Sequence, residues 1–445
     1  MFQTGYARLD ITPPLGTPIA GYFYTRIADG VLDPLEICAL AVKDEETTAV
    51  FIAADIIYAK EKEANKIRKL VAERCNLPFE CVFIQGLHQH TSIRVGGPAE
   101  NPTTCTDAAY LDVLFRKYAD VAQMAIDDLC DSRMGIAQQE TPEQLSFVRR
   151  YRMKDGSTRT NPGCLNPDVV APLSEPDNMV RLVRFFREGK NDIALVNFST
   201  HPDVIGGNKF SADWPGFVRR NVEADLPEVS CILINGCQGD VNHVNVTKPS
   251  LTQGIKKGEP GWIEKRYAHA LKMGRIIADT AIAIWDKTEE KKATPVTAHN
   301  RIDYIPTNTE GMGEEEEQRE VLCRHEAGEI KLSIGPLARA KRILGMVEDK
   351  LYQKVPTALL GLGDVAVAGI GGEPFTWYAT TARESAPDMF VITACLVNGG
   401  EGYLPTKEAF EEGGYEAGST RFTPCVAEKI SGSIKNMLDC HKAKK

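Results

Sequence analysis

The sequence of 445 residues predicts an α/β fold in which mixed β-sheets carry helices packed on their faces. Short apolar runs alternate with amphipathic stretches, and polar residues follow several of the runs. With 43% hydrophobic and 25% charged residues, the composition is that of a globular protein, and no repeat or low-complexity linker divides it. We therefore expect a single domain over residues 1–445, with a mostly helical insertion at 309–350 that forms a cap or a partner surface.

The apolar runs predict buried strands, and the stretches between them predict helices. Strands are expected at 49–54, 81–86, 193–198, 231–234, 357–360, 365–370 and 390–396. Charged residues interleaved with Ile67, Leu70 and Val71 predict a helix over 61–75, which the segment 76–78 (Asn-Leu-Pro) ends. Similar spacing predicts the other helices, over 108–130, 214–221, 264–286 and 423–441.

Charge and hydropathy restrict the class of partner. The net charge of −9 argues against nucleic acid and anionic membranes, because both bind basic surfaces. No run of about 18 apolar residues predicts a transmembrane segment, and residues 1–6 lack the features of a signal peptide. The twelve cysteines include no C-x-x-C pair, which predicts free thiols. We expect a cytoplasmic protein that acts on a small-molecule substrate, with a homo-oligomer as the default state.

Polar residues follow five predicted strands, in the place where open α/β sheets bind ligands. These residues are His88 and His90, then 199–203, 235–240, 371–374 and 398–403. On an extended segment, His88 and His90 face the same side and can address one centre. Imidazole suits zinc, and a catalytic zinc commonly takes three protein ligands plus water. His201 and Glu373 are the candidates that complete the set, and His243 is a rival ligand.

An ordered series of short motifs runs from residue 5 to residue 416. Residues 5–13 read G-Y-A-R-L-D-I-T-P, and residues 88–92 read H-Q-H-T-S. The later motifs lie at 201–202, 211–216, 239–241, 372–375, 402–406 and 414–416. Taken in this order, the motifs resemble the catalytic, N-terminal domain of the neutral/alkaline (non-lysosomal) ceramidase family, and the chain looks like a divergent member.

The resemblance implies a Zn²⁺ ion held by two histidines, a glutamate and a tyrosine, and the hydrolysis of an amide to a fatty acid and an amine. Carried over by position, the ligands are His88, His201, Glu373 and Tyr403. His90 then takes the role of a catalytic or substrate-contacting histidine, and Tyr415 stands where a second active-site tyrosine is expected.

Three departures separate the chain from a ceramidase. In that family a serine is proposed as a catalytic residue at the position that Asn242 occupies here. An amide side chain cannot be a nucleophile. The immunoglobulin-like C-terminal domain is not expected, because the chain ends near Lys445. No export signal is visible, so a soluble N-acyl compound is a better expectation than a bilayer lipid.

Three functions remain open. The first is a zinc-dependent hydrolase of a C–N amide bond in a small soluble N-acyl substrate, through metal-activated water with stabilisation of the oxyanion by His90 and a tyrosine. The second is a zinc-dependent lyase or isomerase on a polar, carbohydrate-like substrate, with proton abstraction by His90 or Tyr415. The third is a non-catalytic binding protein. Arg149, Arg150 and Arg152 either pair with an acidic group of the substrate or form a salt-bridged face.

Overall fold

Two β-sheets packed face to face form the centre of the protein, with helices on both outer surfaces. The computed structural model describes residues 1–96, 106–345 and 351–445. Between the sheets, Phe51 and Leu195 of the larger sheet share one buried cluster with Leu360 and Ile392 of the smaller sheet. Separate apolar clusters lie between each sheet and the helices outside it. The predicted α/β class with mixed sheets is confirmed.

The larger sheet has nine strands within the described residues, antiparallel in the middle and parallel at both edges. Its order is Val229–Asn235, Asp192–Phe198, Met179–Arg187, Cys130–Glu140, Gln3–Asp10, Glu36–Lys43, Thr48–Ala54 and Val82–Gly86, with Glu289–Lys291 paired beside Cys130–Glu140. The sheet curls, and its two edge strands meet at their carboxyl ends, where the Gln85 side chain donates a hydrogen bond of 2.7 Å to the Asn235 carbonyl oxygen.

The smaller sheet has four strands in the described part of the chain, in the order Val296–Pro306, Tyr352–Leu362, Val365–Ile370 and Phe390–Cys395. Glu373–Pro374 and Tyr403–Leu404 form a separate parallel pair. The remaining short strands are Pro18–Ile19, Arg26–Ile27, Gly30–Val31, Tyr58–Ala59, Arg94–Val95, Phe147–Val148, Arg150–Met153, Thr158–Thr160, Val169–Pro172, Lys209–Phe210 and Val241–Asn242.

The helices largely follow the predicted pattern. They are Glu61–Cys75, Ala108–Asp127, Asp213–Asp225, Trp262–Ala283, Glu315–Glu326, Ile334–Leu344, Thr376–Glu384, Lys407–Glu412, Tyr415–Ser419 and Val426–Lys442, with 3₁₀ turns at Phe79–Cys81 and Trp285–Lys287. Asn76 ends the first helix in the left-handed conformation, with φ of 50°. Among the described residues, no helix combines the length and the apolar character that crossing a bilayer requires.

Three strand–helix–strand crossovers, here called the crossover units, determine where the polar strand ends lie. In each unit a helix connects two parallel strands. The strand pairs are Thr48–Ala54 with Val82–Gly86, Asp192–Phe198 with Val229–Asn235, and Val365–Ile370 with Phe390–Cys395. Gln85 joins all three units, since its side chain also donates to the Cys395 carbonyl oxygen at 2.8 Å. The carboxyl ends of the units therefore meet at one place.

Candidate active site

Three histidines from two crossover units form a cluster at this meeting point. One ring nitrogen from each of His88, His90 and His201 lies within 4.8 Å of the other two, and such a group can hold a metal ion. His88 and His201 are buried, and their Nε2 atoms are 3.1 Å apart. The structure thus brings together the histidines that the sequence nominated.

His88 reaches the cluster through a strained turn. The sequence predicts an extended segment here, but His88 has a φ of 79°, in the left-handed region. Such a conformation costs a non-glycine residue on the order of 1–3 kcal/mol and is typical of functional sites. The rings of His88 and His90 are 5.0 Å apart, so the turn, and not a strand, places them side by side.

Backbone carbonyl groups fix the tautomers of His88 and His201. Nδ1 of His88 lies 2.9 Å from the Ile57 oxygen, and Nδ1 of His201 lies 3.1 Å from the Gln238 oxygen. A ring that donates its Nδ1 proton keeps Nε2 as an acceptor, so two acceptors face each other. Burial, followed by the charge of Arg149, holds the pKa of His201 well below its usual range, which keeps this ring neutral. A cation between the two acceptors would relieve their repulsion.

Glu373 brings a carboxylate to the same point. Its Oε2 atom lies 3.2 Å from Nε2 of His88 and 3.6 Å from Nε2 of His201. The side chain is buried, and within the described residues this oxygen accepts no hydrogen bond. Two ligands of a tetrahedral zinc ion with bonds of about 2.0–2.1 Å lie roughly 3.3 Å apart. The spacing of the three donor atoms therefore fits a zinc ion.

Tyr403 and Tyr415 stand beside this carboxylate. Tyr403 pairs directly with Glu373 in the short parallel ladder, and its ring centroid is 5.3 Å from that of Tyr415. Burial raises the pKa of Tyr403 well above its usual range, although Arg149 opposes the shift, and raises the pKa of Tyr415 to about 12. The Tyr415 hydroxyl therefore keeps its proton near neutral pH and can donate a hydrogen bond.

His90 differs from the other two histidines. Neither of its ring nitrogens has a hydrogen-bond partner in the described part of the chain, whereas a histidine that binds a metal usually has its second nitrogen oriented by one. Burial, with a contribution from His88, lowers the pKa of His90 to about 3. Its ring lies edge-on to Tyr22 at 5.7 Å, and a Cβ on Gly21 would come within 2.7 Å of it. The ring is therefore neutral and closely packed, with its nitrogens free.

Arg149 and Arg150 are paired inside the protein. Nε of Arg149 lies 2.8 Å from one Glu416 oxygen, and Nε of Arg150 lies 3.6 Å from the other. Arg150 also contacts Glu412 at 3.1 Å. Both arginines are buried. Of the two alternatives, pairing with the substrate or with carboxylates of the protein, the structure shows the second for Arg149 and Arg150. Arg152 is 56% exposed and lies 3.9 Å from Glu412.

Asn242 and His243 lie next to one another and have different surroundings. The Asn242 amide donates to Asn161 at 2.8 Å and accepts from the Val244 backbone at 2.9 Å, so both of its ends are engaged. A catalytic role for Asn242 stays a prediction. The rival ligand His243 faces the Asp203 carboxylate at 3.2 Å and is not part of the three-histidine cluster.

A buried ion pair that the sequence analysis did not identify holds the histidine segment. Gln89 donates to Asp55 at 2.6 Å, and Arg219 binds both oxygens of Asp55, at 3.1 and 2.5 Å. This pairing gives Asp55 a structural role. The only signal in the sequence was an aspartate directly after an apolar strand.

Two solved structures share this fold. The neutral ceramidase from Pseudomonas aeruginosa superposes with a TM-score of 0.75 at 14% identity, over 99% of this chain and 75% of that one. A ceramidase complexed with C2 gives a TM-score of 0.72 at 14% identity, over 100% of this chain and 75% of that one. No protein-family model matches the sequence, and no curated protein matches it. The chain therefore has a ceramidase-like fold, as the motifs implied.

Proposed function

We propose that the protein is a zinc-dependent hydrolase of the amide bond in a small soluble N-acyl compound. The observation that carries the proposal is the convergence of His88 Nε2, His201 Nε2 and Glu373 Oε2, at 3.1 to 3.6 Å from one another. The free ring of His90 and the hydroxyl of Tyr415 lie beside this point. The likeness to two ceramidases supports amide hydrolysis as the chemistry.

His88, His201 and Glu373 would hold the ion, with Tyr403 as the fourth ligand. A zinc ion bound there supplies a Lewis acid that polarises a carbonyl group and lowers the pKa of water. Because its pKa is about 3, His90 is neutral and can donate one hydrogen bond to the oxygen on which negative charge develops. Tyr415, with a pKa of about 12, can donate another.

Chelation and isotope labelling test this proposal. Treatment with a chelator is expected to abolish the release of octanoate from N-octanoyl amines and N-octanoyl amino acids, and added zinc is expected to restore it. In heavy-oxygen water, hydrolysis puts the label into the released carboxylate. An unlabelled, unsaturated product would identify a lyase instead, and activity that survives complete metal removal would overturn the proposal.

Replacement of Asn242 by serine tests whether the family's serine position matters here. The proposed mechanism needs no nucleophilic side chain, so Asn242→Ser is expected to keep kcat/KM within about threefold, since it loses only part of a neutral hydrogen-bond pair. Steady-state kinetics measure the change, and the Asn242→Ala variant is the control for lost hydrogen bonds. A gain of tenfold or more in Asn242→Ser alone would show that a serine at this position takes part in the reaction.

A further inference from the structure

An aromatic segment borders the candidate site between its two free hydrogen-bonding groups. Tyr22 contacts His90 edge-on at 5.7 Å, and Phe23 contacts Tyr415 edge-on at 6.4 Å. Tyr24 stacks on Tyr22 at 5.5 Å. Phe23 and Tyr24 are 43% and 50% exposed. The segment Tyr22-Phe23-Tyr24 therefore connects the proposed oxyanion donors to the protein surface.

Each of these three rings carries a cation from a different part of the chain. The Arg26 guanidinium lies 4.0 Å from the Tyr22 ring centroid. Lys341 Nζ lies 4.9 Å from the Phe23 ring, and Lys257 Nζ lies 4.4 Å from the Tyr24 ring. Lys341 belongs to the helix Ile334–Leu344, within the insertion predicted at 309–350, of which 346–350 lie outside the described residues. This helix also bonds to the Tyr415–Ser419 helix, where Arg342 donates to the Gly418 carbonyl oxygen at 2.9 Å. We call the three rings and three cations the collar.

Within the described residues the cations of the collar form no ion pair; Lys257 donates a hydrogen bond to the Tyr24 hydroxyl, and Lys341 donates one of 3.5 Å to the Phe23 carbonyl oxygen. Arg26 is 3% exposed, gives its Nη hydrogens to backbone carbonyl groups and leaves its Nε without a partner. Asp203 acts electrostatically on Tyr22, but His243 pairs with that carboxylate. Glu326 acts on Lys341 without coming within ion-pair distance. The exposed Lys257 and Lys341 are therefore the collar cations that a ligand can reach.

We propose that Lys257 and Lys341 of the collar bind an anionic group of the substrate, so that the enzyme prefers anionic N-acyl compounds over neutral ones. The argument rests on the proposed function, since it describes the substrate of the same site. Cations over aromatic rings remain able to bind an anion, because the ring face occupies only one side of the charge. The partly exposed rings of Phe23 and Tyr24 suit the apolar part of the same ligand.

Two matched pairs of ligands test the collar. N-octanoylglycine is compared with N-octanoylglycinamide, and N-octanoylethanolamine phosphate is compared with N-octanoylethanolamine. The ratio of kcat/KM for the charged over the neutral member is expected to exceed one in the wild-type protein and to fall about tenfold in Lys257→Gln/Lys341→Gln. Lys69→Gln, whose lysine pairs with Glu73 on the helix Glu61–Cys75, is expected to leave the ratio unchanged.

Calorimetric binding of the same four ligands to the full chain separates this inference from the proposed function. If none of the four is hydrolysed, the proposed function fails, and preferential binding of the charged members still supports the collar. The preference is expected to weaken between about 0.05 M and about 0.5 M salt, because screening reduces the attraction. Equal binding of charged and neutral members would overturn the proposal that the collar binds an anion. A preference that survives in Lys257→Gln/Lys341→Gln would overturn it as well. A preference confined to one pair identifies the anion as a carboxylate or a phosphate.

Discussion

The His88→Ala variant is expected to contain no metal and to lose more than about a hundredfold in kcat/KM. The substitution removes one of three donor atoms that converge within 3.6 Å, and even residues that only orient a ligand cost 10–100-fold in metal affinity or activity when changed. Elemental analysis after dialysis gives the metal content per chain, and hydrolysis of an N-octanoyl substrate gives the activity. Glu373→Gln, which keeps the size of the side chain and removes its charge, is expected to behave in the same direction.

A histidine outside the site provides the control for this prediction. His299 lies on the strand Val296–Pro306, away from the cluster, and His299→Ala is expected to retain both metal and activity. His88→Ala keeps the left-handed backbone and loses a buried ring, so the thermal unfolding midpoint of the metal-free variant is measured beside its metal content to show that it is folded. A wild-type protein that binds no zinc, or a His88→Ala variant that binds it as well as wild type, would contradict the assignment.

The sequence predicted the crossover units well because their strands are buried on both faces. The run at 49–54 appears as Thr48–Ala54 and the run at 193–198 as Asp192–Phe198. A strand buried on both faces is apolar throughout, and such runs are easy to recognise. His88, His201 and Glu373 follow strands of these units and lie within 3.6 Å of one another, so the residues of the candidate site could be nominated before any coordinates.

The antiparallel middle of the larger sheet could not be predicted in the same way. Cys130–Glu140 is partly exposed along most of its length and contains few apolar residues, so it lacks the periodicity of a buried strand. The helix predicted over 108–130 includes the first residue of this strand, but the helix ends at Asp127. Tertiary pairing with Met179–Arg187, rather than local preference, determines this strand.

The contacts that hold the site residues in place could not be predicted from the sequence either. The side chain of Gln85 connects three strand ends that are up to about 310 residues apart in the chain, and one amide in an apolar run gives no sign of this. The left-handed backbone of His88 and the carbonyl groups that orient its ring likewise depend on segments brought together by folding. Sequence patterns identified the residues that offer donor atoms. The tautomers of the histidines and the distances between the donor atoms depend on the fold.

The buried pair of Arg219 and Asp55 gives the largest expected effect on stability. Replacing Arg219 by methionine leaves the Asp55 carboxylate buried without its bidentate partner, and such a loss costs about 3–5 kcal/mol of the free energy of unfolding. Denaturant unfolding measures the difference. The matched control is Arg133→Met, because the Arg133–Glu290 pair is more than half exposed on both sides and is expected to contribute less than about 1 kcal/mol.

Removing the charge of Asp55 in the Arg219→Met variant should restore much of the lost free energy of unfolding. In Arg219→Met/Asp55→Asn, the amide oxygen can still accept one of the two hydrogen bonds that Asp55 receives from Gln89 and from the Glu36 backbone. The buried charge at position 55 is gone, so about 1–3 kcal/mol is expected to return. The difference in free energy of unfolding between wild type and Arg219→Met should also shrink as the pH falls. Burial, against the opposing charge of Arg219, already raises the pKa of Asp55, and without Arg219 the folded chain prefers the protonated form still more strongly. Above about pH 4 the unfolded chain releases that proton and the folded variant loses stability as the pH rises. A single variant with wild-type stability, or a deficit that does not depend on pH, would show that Asp55 is not buried against Arg219. Since Gln89 lies between His88 and His90, the same measurement reports how firmly the candidate site is held.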